Sequence, residues 1–332
     1  MEKISFLGCG SWGGALGSIL AEKNYDVTMW HRDDVVVNSL NETREHYLIP
    51  ELTFPTNVNF TNNISSAIRS ATVVVLAIPS QSIRKLITDN KSDFDQEQFI
   101  VNVSKGIEID TLMTVSQVIN DVLGNSYNKT ITLSGPSHAE EVIQKHPTTL
   151  VAASSNLEAA QKIQNLFATD MLRTYRNKDI KGVELGGSMK NVIAIAAGIC
   201  DGIGYGDNSK AALITRGMAE ITRLGKTMGG KRKTFRGLSG FGDLIVTCLS
   251  HHSRNRQIGQ AIGEGKSLEK IISEMNMVAE GIDTAKSVHQ LMLKHDVEMP
   301  IHEAIYQVLF KNKDPKSSVV ELMNRRLSEE NN

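Results

Sequence analysis

The chain has 332 residues, with 36 Lys and Arg against 37 Asp and Glu, a formal net charge of -1, 40% hydrophobic and 22% charged residues. That composition is ordinary for a globular protein, and the near balance of charge excludes a global basic field able to hold nucleic acid or an anionic bilayer, so any anion must be gripped by a local cluster. The length exceeds what one hydrophobic core usually sustains, roughly 250 to 300 residues, and predicts two domains.

The first strand is expected at residues 3–7, followed at once by Gly8-Cys9-Gly10-Ser11-Trp12-Gly13 and then by Ala15, Leu16, Ile19 and Leu20 at helical spacing. Strand, glycine loop and helix in this order predict a dinucleotide site. Gly8 permits the tight turn, Gly10 lets the backbone approach a pyrophosphate, Gly13 allows close packing, and the helix start offers unpaired amides. The second strand, at 27–30, runs into His31-Arg32-Asp33. An acid there suits the ribose hydroxyls of NAD and an arginine suits the 2′-phosphate of NADP, so Arg32 points to NADPH, while Asp33 and Asp34 leave an acid within one residue of the position.

Further strands are expected at 72–78, 99–103, 130–133, 148–153 and 172–175, separated by helical patterns at 64–70, 111–123 and 157–167. Such alternation builds a doubly wound, largely parallel sheet whose ligands bind at the carboxyl ends of the strands. Standing at those ends are the Gly8 loop, Arg32, Pro79-Ser80, Ser104-Lys105-Gly106 and Ser134-Gly135-Pro136-Ser137. Ser134 with Pro136, Glu140 and Glu141 reads as a helix start.

At 186 the alternation stops. Residues 189–200 are apolar on every face except Lys190 and Asn191, the mark of a buried helix, and a lysine there is a candidate acid/base because burial favours its neutral form. Snorkelling to water is the alternative. A glycine-rich turn at 201–208 leads to a helix at 209–228, then to the loop 237–243, whose Asp243 either caps the next helix or partners Lys190. Ser253-Arg254-Asn255-Arg256 is the densest cluster of guanidinium and amide donors, suited to a phosphate or else a solvated basic face. Residues 277–284 open a helix, more helices follow at 285–294, 301–310 and 316–327, and 329–332 should fray. His251-His252 has no companions at ligand spacing, so no metal site is expected. Cys9, Cys200 and Cys248 form no CxxC pair, a strand pattern by residue 3 leaves no room for a leader peptide, and no run approaches 18 apolar residues. A reduced cytoplasmic protein without an integral membrane segment is the expectation.

Taken together, the segments 8–13, 104–106, 134–141, 186–207, 240–244, 253–256 and 280–281 resemble the bacterial-type NAD(P)-dependent glycerol-3-phosphate dehydrogenases, in family order. The resemblance implies an α/β fold, an N-terminal Rossmann-type doubly wound sheet over 1–185 with a C-terminal all-helical domain over 186–328. It implies hydride transfer between NAD(P)H and dihydroxyacetone phosphate, giving sn-glycerol 3-phosphate for phospholipid synthesis. By motif, Lys190 would be the catalytic proton carrier. Lys105, Gly135, Ser137, Asp243, Ser253, Arg254 and Asn255 would surround the substrate with it. Gly8, Gly10, Ser11, Trp12, Gly13, Arg32, Ala139, Val278 and Glu280 would hold NADP or NAD, Lys105 and Arg254 reaching it too, with Asn191 and Thr247 as outlying contacts. Gly14 stands where members often have threonine and Tyr205 where phenylalanine is common. A phosphorylated small molecule is the implied partner and a homodimer the candidate assembly. The alternatives are a sibling 3-hydroxyacid or 6-phosphogluconate type dehydrogenase and a non-catalytic dinucleotide sensor.

Overall fold

The computed structural model describes residues 2–124, 128–275, 279–327 and 329–330. Eight strands form one sheet: β1 (Lys3–Leu7), β2 (Asp26–Trp30), β3 (Val58–Thr61), β4 (Val73–Leu76), β5 (Phe99–Asn102), β6 (Thr130–Ser134), β7 (Thr148–Ala153) and β8 (Leu172–Asn177). Their spatial order is β3-β2-β1-β4-β5-β6-β7-β8, parallel throughout except where β7 runs antiparallel to β6. The apolar runs follow from burial on both faces. Val73 and Val75 of β4 pack with Ile4, Phe6, Leu16 and Met29, while Val74 and Leu76 pack on the opposite face with Ile83, Ile100 and Ile119. The strand order reverses between β1 and β4, so the loops leaving those two strands diverge and open a crevice.

Two elements of the first half carry no clear signal in the sequence. The helix Asp34–Thr43 opens on Val35, Val36 and Val37, a β-branched run of low helix propensity, and is started by Asp33, whose side chain accepts the Val35 amide at 2.9 Å. Strand β3 has four residues and only two inward apolar side chains, Val58 and Phe60. Ser134, read as a helix start, is instead the last residue of β6, and the helix begins at Ala139. Gly135 lies between them at φ 152°, where any Cβ would fall 2.8 Å from the Thr149 carbonyl, so the chain must turn before helix can form.

From Ile180 onward the described residues are helical or loop. The helix Ile180–Ile203 starts earlier than the apolar run, through Gly182, Gly186 and Gly187, because Asp179 caps it by accepting the Gly182 amide at 3.0 Å. It runs unbroken through 185 and 186, and every residue from Gly182 to Cys200 is buried. Among the described helices it alone is long and apolar enough to cross a bilayer, and its apolar window lies wholly inside the protein. The helices Asp207–Thr227, Asp243–Leu249, Arg254–Gly263 and Glu280–His295 surround it. Its closest neighbour is Arg254–Gly263, which approaches at backbone contact: a Cβ on Gly198 would fall 1.9 Å from the Arg256 carbonyl oxygen, and one on Gly259 1.9 Å from that of Ile195. This contact fixes where the start of the Arg254–Gly263 helix stands relative to Lys190. Met277 and Val278, the domain limit at 328 and the tail residues 331–332 lie outside the described residues.

Candidate active site

A cleft of about 690 Å³ runs from the glycine loop, past the carboxyl ends of the strands, to the central helix. Gly10, Ser11, Trp12, Gly13, Arg32, Lys105, Ser137, Ala139, Lys190, Asp243, Ser253, Arg254, Asn255 and Glu280 all line it, as do Asn191 and Thr247. Gly8 and Gly135 lie behind the wall as turn residues, and Val278 falls outside the described residues. Gly8, at φ 117°, leaves a Cβ no room beside the Ala77 carbonyl, 2.4 Å away, and a Cβ on Gly13 would be as close to the Gly8 carbonyl. A Cβ on Gly10 would meet nothing within 4 Å. The loop therefore keeps its backbone bare toward the cleft, which fits a dinucleotide pyrophosphate at the start of the helix Ser11–Glu22.

At the far end of β2 the acids are engaged. Asp33 caps its helix, and Asp34 accepts from the side chain of Asn62. Arg32 is exposed and, among the described residues, makes no hydrogen bond or ion pair, so the free charge at this end of the cleft is positive.

The opposite end holds a buried charge cluster. Lys190 Nζ lies 2.7 Å from Asp243 Oδ1 and donates to Thr247 Oγ1. Lys105 Nζ donates to Asp243 Oδ2 at 2.6 Å and to the Gly135 carbonyl at 3.2 Å. Thr247 in turn donates to the Asp243 carbonyl at 2.6 Å, as residues four apart on a helix can. An ammonium has three protons; for each lysine two are taken within the described residues, which leaves one to offer a ligand. Asp243 thus partners Lys190; it is the first residue of its helix and its side chain makes no capping hydrogen bond among the described residues. Lys190 is 5% exposed, and burial, reinforced by the nearby Lys105 charge and opposed by Asp243, brings its pKa down to about 8. Burial pushes the Asp243 carboxyl up, but the two lysines outweigh it and hold it below the usual range.

Ser253 caps the helix Arg254–Gly263 by accepting the Arg256 amide at 3.3 Å, and Asn255 Oδ1 accepts the Gly281 amide at 3.0 Å. Arg254 faces the cleft. Arg256 does not: its guanidinium turns to Asp201, 2.7 Å away. Two residues apart on one helix, the arginines point to opposite faces, and only their surroundings in space show which face meets the cleft. Glu280 accepts the Ser80 amide through Oε1 at 2.9 Å, while its buried Oε2 is without a hydrogen-bond partner among the described residues, and burial raises its pKa to about 7 against the pull of Ser80 and Arg254. An unsatisfied acceptor at this depth fits an amide or hydroxyl donor from a bound cofactor.

Residues not singled out from the sequence for the site also line the cleft, among them His31, Tyr47, His138 and His252. Burial and the two lysines press the pKa of His138 to about 4, so it is neutral at physiological pH. Its place inside the segment 134–141 was its one sequence signal. Among the described residues no group of three or more His, Cys, Asp or Glu side chains is placed to hold a metal ion.

Comparison with known proteins matches this geometry to one family. The N-terminal model of NAD-dependent glycerol-3-phosphate dehydrogenase covers residues 3–160 and the C-terminal model residues 179–320. A protein of Clostridium perfringens named glycerol-3-phosphate dehydrogenase [NAD(P)+] is 51% identical over 326 residues, 98% of each chain. A protein of the same name from Chlorobium phaeobacteroides is 49% identical over 330 residues, 99% of each. The crystal structure of glycerol-3-phosphate dehydrogenase from Coxiella burnetii superposes with a TM-score of 0.93 at 34% identity, covering 98% of this chain and 99% of that one. With both family models matched in order along one continuous fold, the chain belongs to the NAD-dependent glycerol-3-phosphate dehydrogenase family.

Proposed function

We infer that the chain is an NAD(P)-dependent glycerol-3-phosphate dehydrogenase, reducing dihydroxyacetone phosphate to sn-glycerol 3-phosphate, the backbone of phospholipids. The observation that carries this is the Lys105–Asp243–Lys190 cluster, with Asp243 and Lys190 buried, facing the same cleft as the glycine loop and Arg254. When bound, the nicotinamide supplies the hydride. The chain's own part is to hold the ketone, stabilise the charge that develops on its oxygen and move one proton.

Lys190 offers its remaining proton to that oxygen in reduction and accepts it in oxidation, and a pKa near 8 suits transfer in both directions. Asp243 keeps the ammonium in place between turnovers, and Lys105 adds a second positive charge beside the developing alkoxide. Arg254, with Ser253 and Asn255 at the helix start, grips the phosphate, while Gly135 and Ser137 close the wall behind it. Gly8, Gly10, Ser11, Trp12, Gly13, Ala139, Val278 and Glu280 serve the cofactor, and Arg32 its 2′-phosphate.

Residues 1–185 act as the dinucleotide-binding unit and 186–328 as the helical substrate unit, with one helix, Ile180–Ile203, shared between them. The enzyme works in the cytoplasm, as a homodimer. Purified protein should oxidise NADPH when given dihydroxyacetone phosphate; reduction of NADP+ by a 3-hydroxyacid or 6-phosphogluconate instead, or binding without turnover, overturns the assignment.

Truncating Arg254 to alanine removes charge-assisted hydrogen bonds of about 1.5 to 3 kcal/mol, roughly one to two decades in kcat/KM for dihydroxyacetone phosphate. Activity on unphosphorylated dihydroxyacetone, already poor, should hardly move; an equal loss on both places the phosphate elsewhere. Arg32→Ala should weaken NADPH by a similar roughly ten- to hundredfold factor and NADH far less, as titration of cofactor fluorescence can show.

A further inference from the structure

Glu184 lies six residues before Lys190 on the central helix, is 5% exposed, and is absent from every motif that points to the reaction. Among the described residues its carboxylate touches no cation. Oε1 accepts the Ser116 amide at 2.9 Å and the Thr132 hydroxyl at 2.8 Å, and Oε2 accepts the Ser116 hydroxyl at 2.5 Å. A carboxylate buried among neutral donors is expensive, and an apolar side chain of the same volume would serve packing better. What the carboxylate supplies is register. Thr132 belongs to β6, which ends one residue before Gly135, and the Gly135 carbonyl holds Lys105 Nζ. The Glu184 contact to Thr132 therefore ties the helix that carries Lys190 to the strand that anchors Lys105, and Asp243 demands that both ammonium groups arrive within 2.7 Å of one carboxylate.

We propose that Glu184 is a positioning residue, which sets the separation of Lys190 and Lys105 by locking the central helix to β6 through Thr132. The proposal rests on the two lysines carrying the chemistry. Its tethers differ in what they lead to: Thr132, together with Asn102 Nδ2 at 3.5 Å from Oε1 at the end of β5, leads to Lys105, whereas Ser116 leads to the helix Val115–Leu123, which bears no cleft residue.

The experiment compares Thr132→Val with Ser116→Ala, each removing one hydroxyl from the same buried carboxylate. Thr132→Val is expected to lower kcat for dihydroxyacetone phosphate by roughly ten- to a hundredfold, the scale of a small misplacement of reacting groups, with KM values within about threefold. Thr132→Ser, which restores the hydroxyl, should return most of kcat. Ser116→Ala should lose stability without a matching loss of kcat. Equal losses of kcat in the two variants, or none in either, overturn the proposal. If Thr132→Val yields no folded enzyme, Glu184→Gln takes its place, with a fall in kcat at unchanged KM expected and an unchanged kcat decisive against. Wild-type turnover and its loss in Lys190→Ala test the underlying assignment separately.

Discussion

In the Lys190→Ala enzyme, turnover of dihydroxyacetone phosphate is expected to fall by roughly two to four decades, the usual worth of a positioned proton transfer, while NADPH binding stays within a few-fold. The reason lies in where the side chain ends. Lys190 Nζ is buried against Asp243 and Thr247 with one proton left to give, and in the described residues the only other ammonium on that carboxylate is the half-buried Lys105. The pH dependence follows from the same geometry. Reduction needs the ammonium, so kcat/KM for dihydroxyacetone phosphate should fall as pH rises through about 8; oxidation needs the amine, so kcat/KM for glycerol 3-phosphate should rise through the same pH. Opposite limbs at one pKa identify a single group. A variant retaining more than about a tenth of wild-type kcat, or limbs that survive in it, would remove Lys190 from that role.

The parts of this arrangement legible in the sequence are those where one segment carries the whole message. Gly8, Gly10 and Gly13 sit between a strand and a helix, and a lone charged residue in the run 189–200 announces itself by its cost. Legibility fails where a role depends on two distant segments. Asp243 reads equally well as a cap until Lys105 and Lys190, 138 and 53 residues away, are seen to meet its two oxygens. Arg254 and Arg256 share one motif, yet Asp201 claims the second. Asp33 and Asp34 blur the choice of cofactor until the cap on Val35 and the Asn62 contact account for both, leaving Arg32 free to act. The glycines at 182, 186 and 187 argue against helix locally, and tertiary packing overrides them.

The second large effect is expected at Asp243. Changing it to asparagine keeps its shape and removes the one negative charge between two ammonium groups, and breaking a buried ion pair from one side typically costs about 3 to 5 kcal/mol. Lys190 can shed part of that cost by losing its proton, and here the signs can be followed. Asp243 holds the Lys190 pKa up against burial and against Lys105, so without it the value drops below about 8 and the descending limb of the reduction profile moves to lower pH. The stability deficit follows a matching course. The native carboxylate, held below its usual pKa, contributes fully at neutral pH and loses that contribution as pH falls through its native pKa, so wild type and variant should converge in acid. On the alkaline side the unfolded Lys190 keeps a proton that the folded variant has released, so the variant should gain stability as pH rises toward the ordinary lysine range. Thermal unfolding across pH, read beside the rate profile, tests both. A Tm difference that is constant from acid to alkaline pH, with an unshifted reduction limb, would show that the charge cluster does not govern the proton on Lys190.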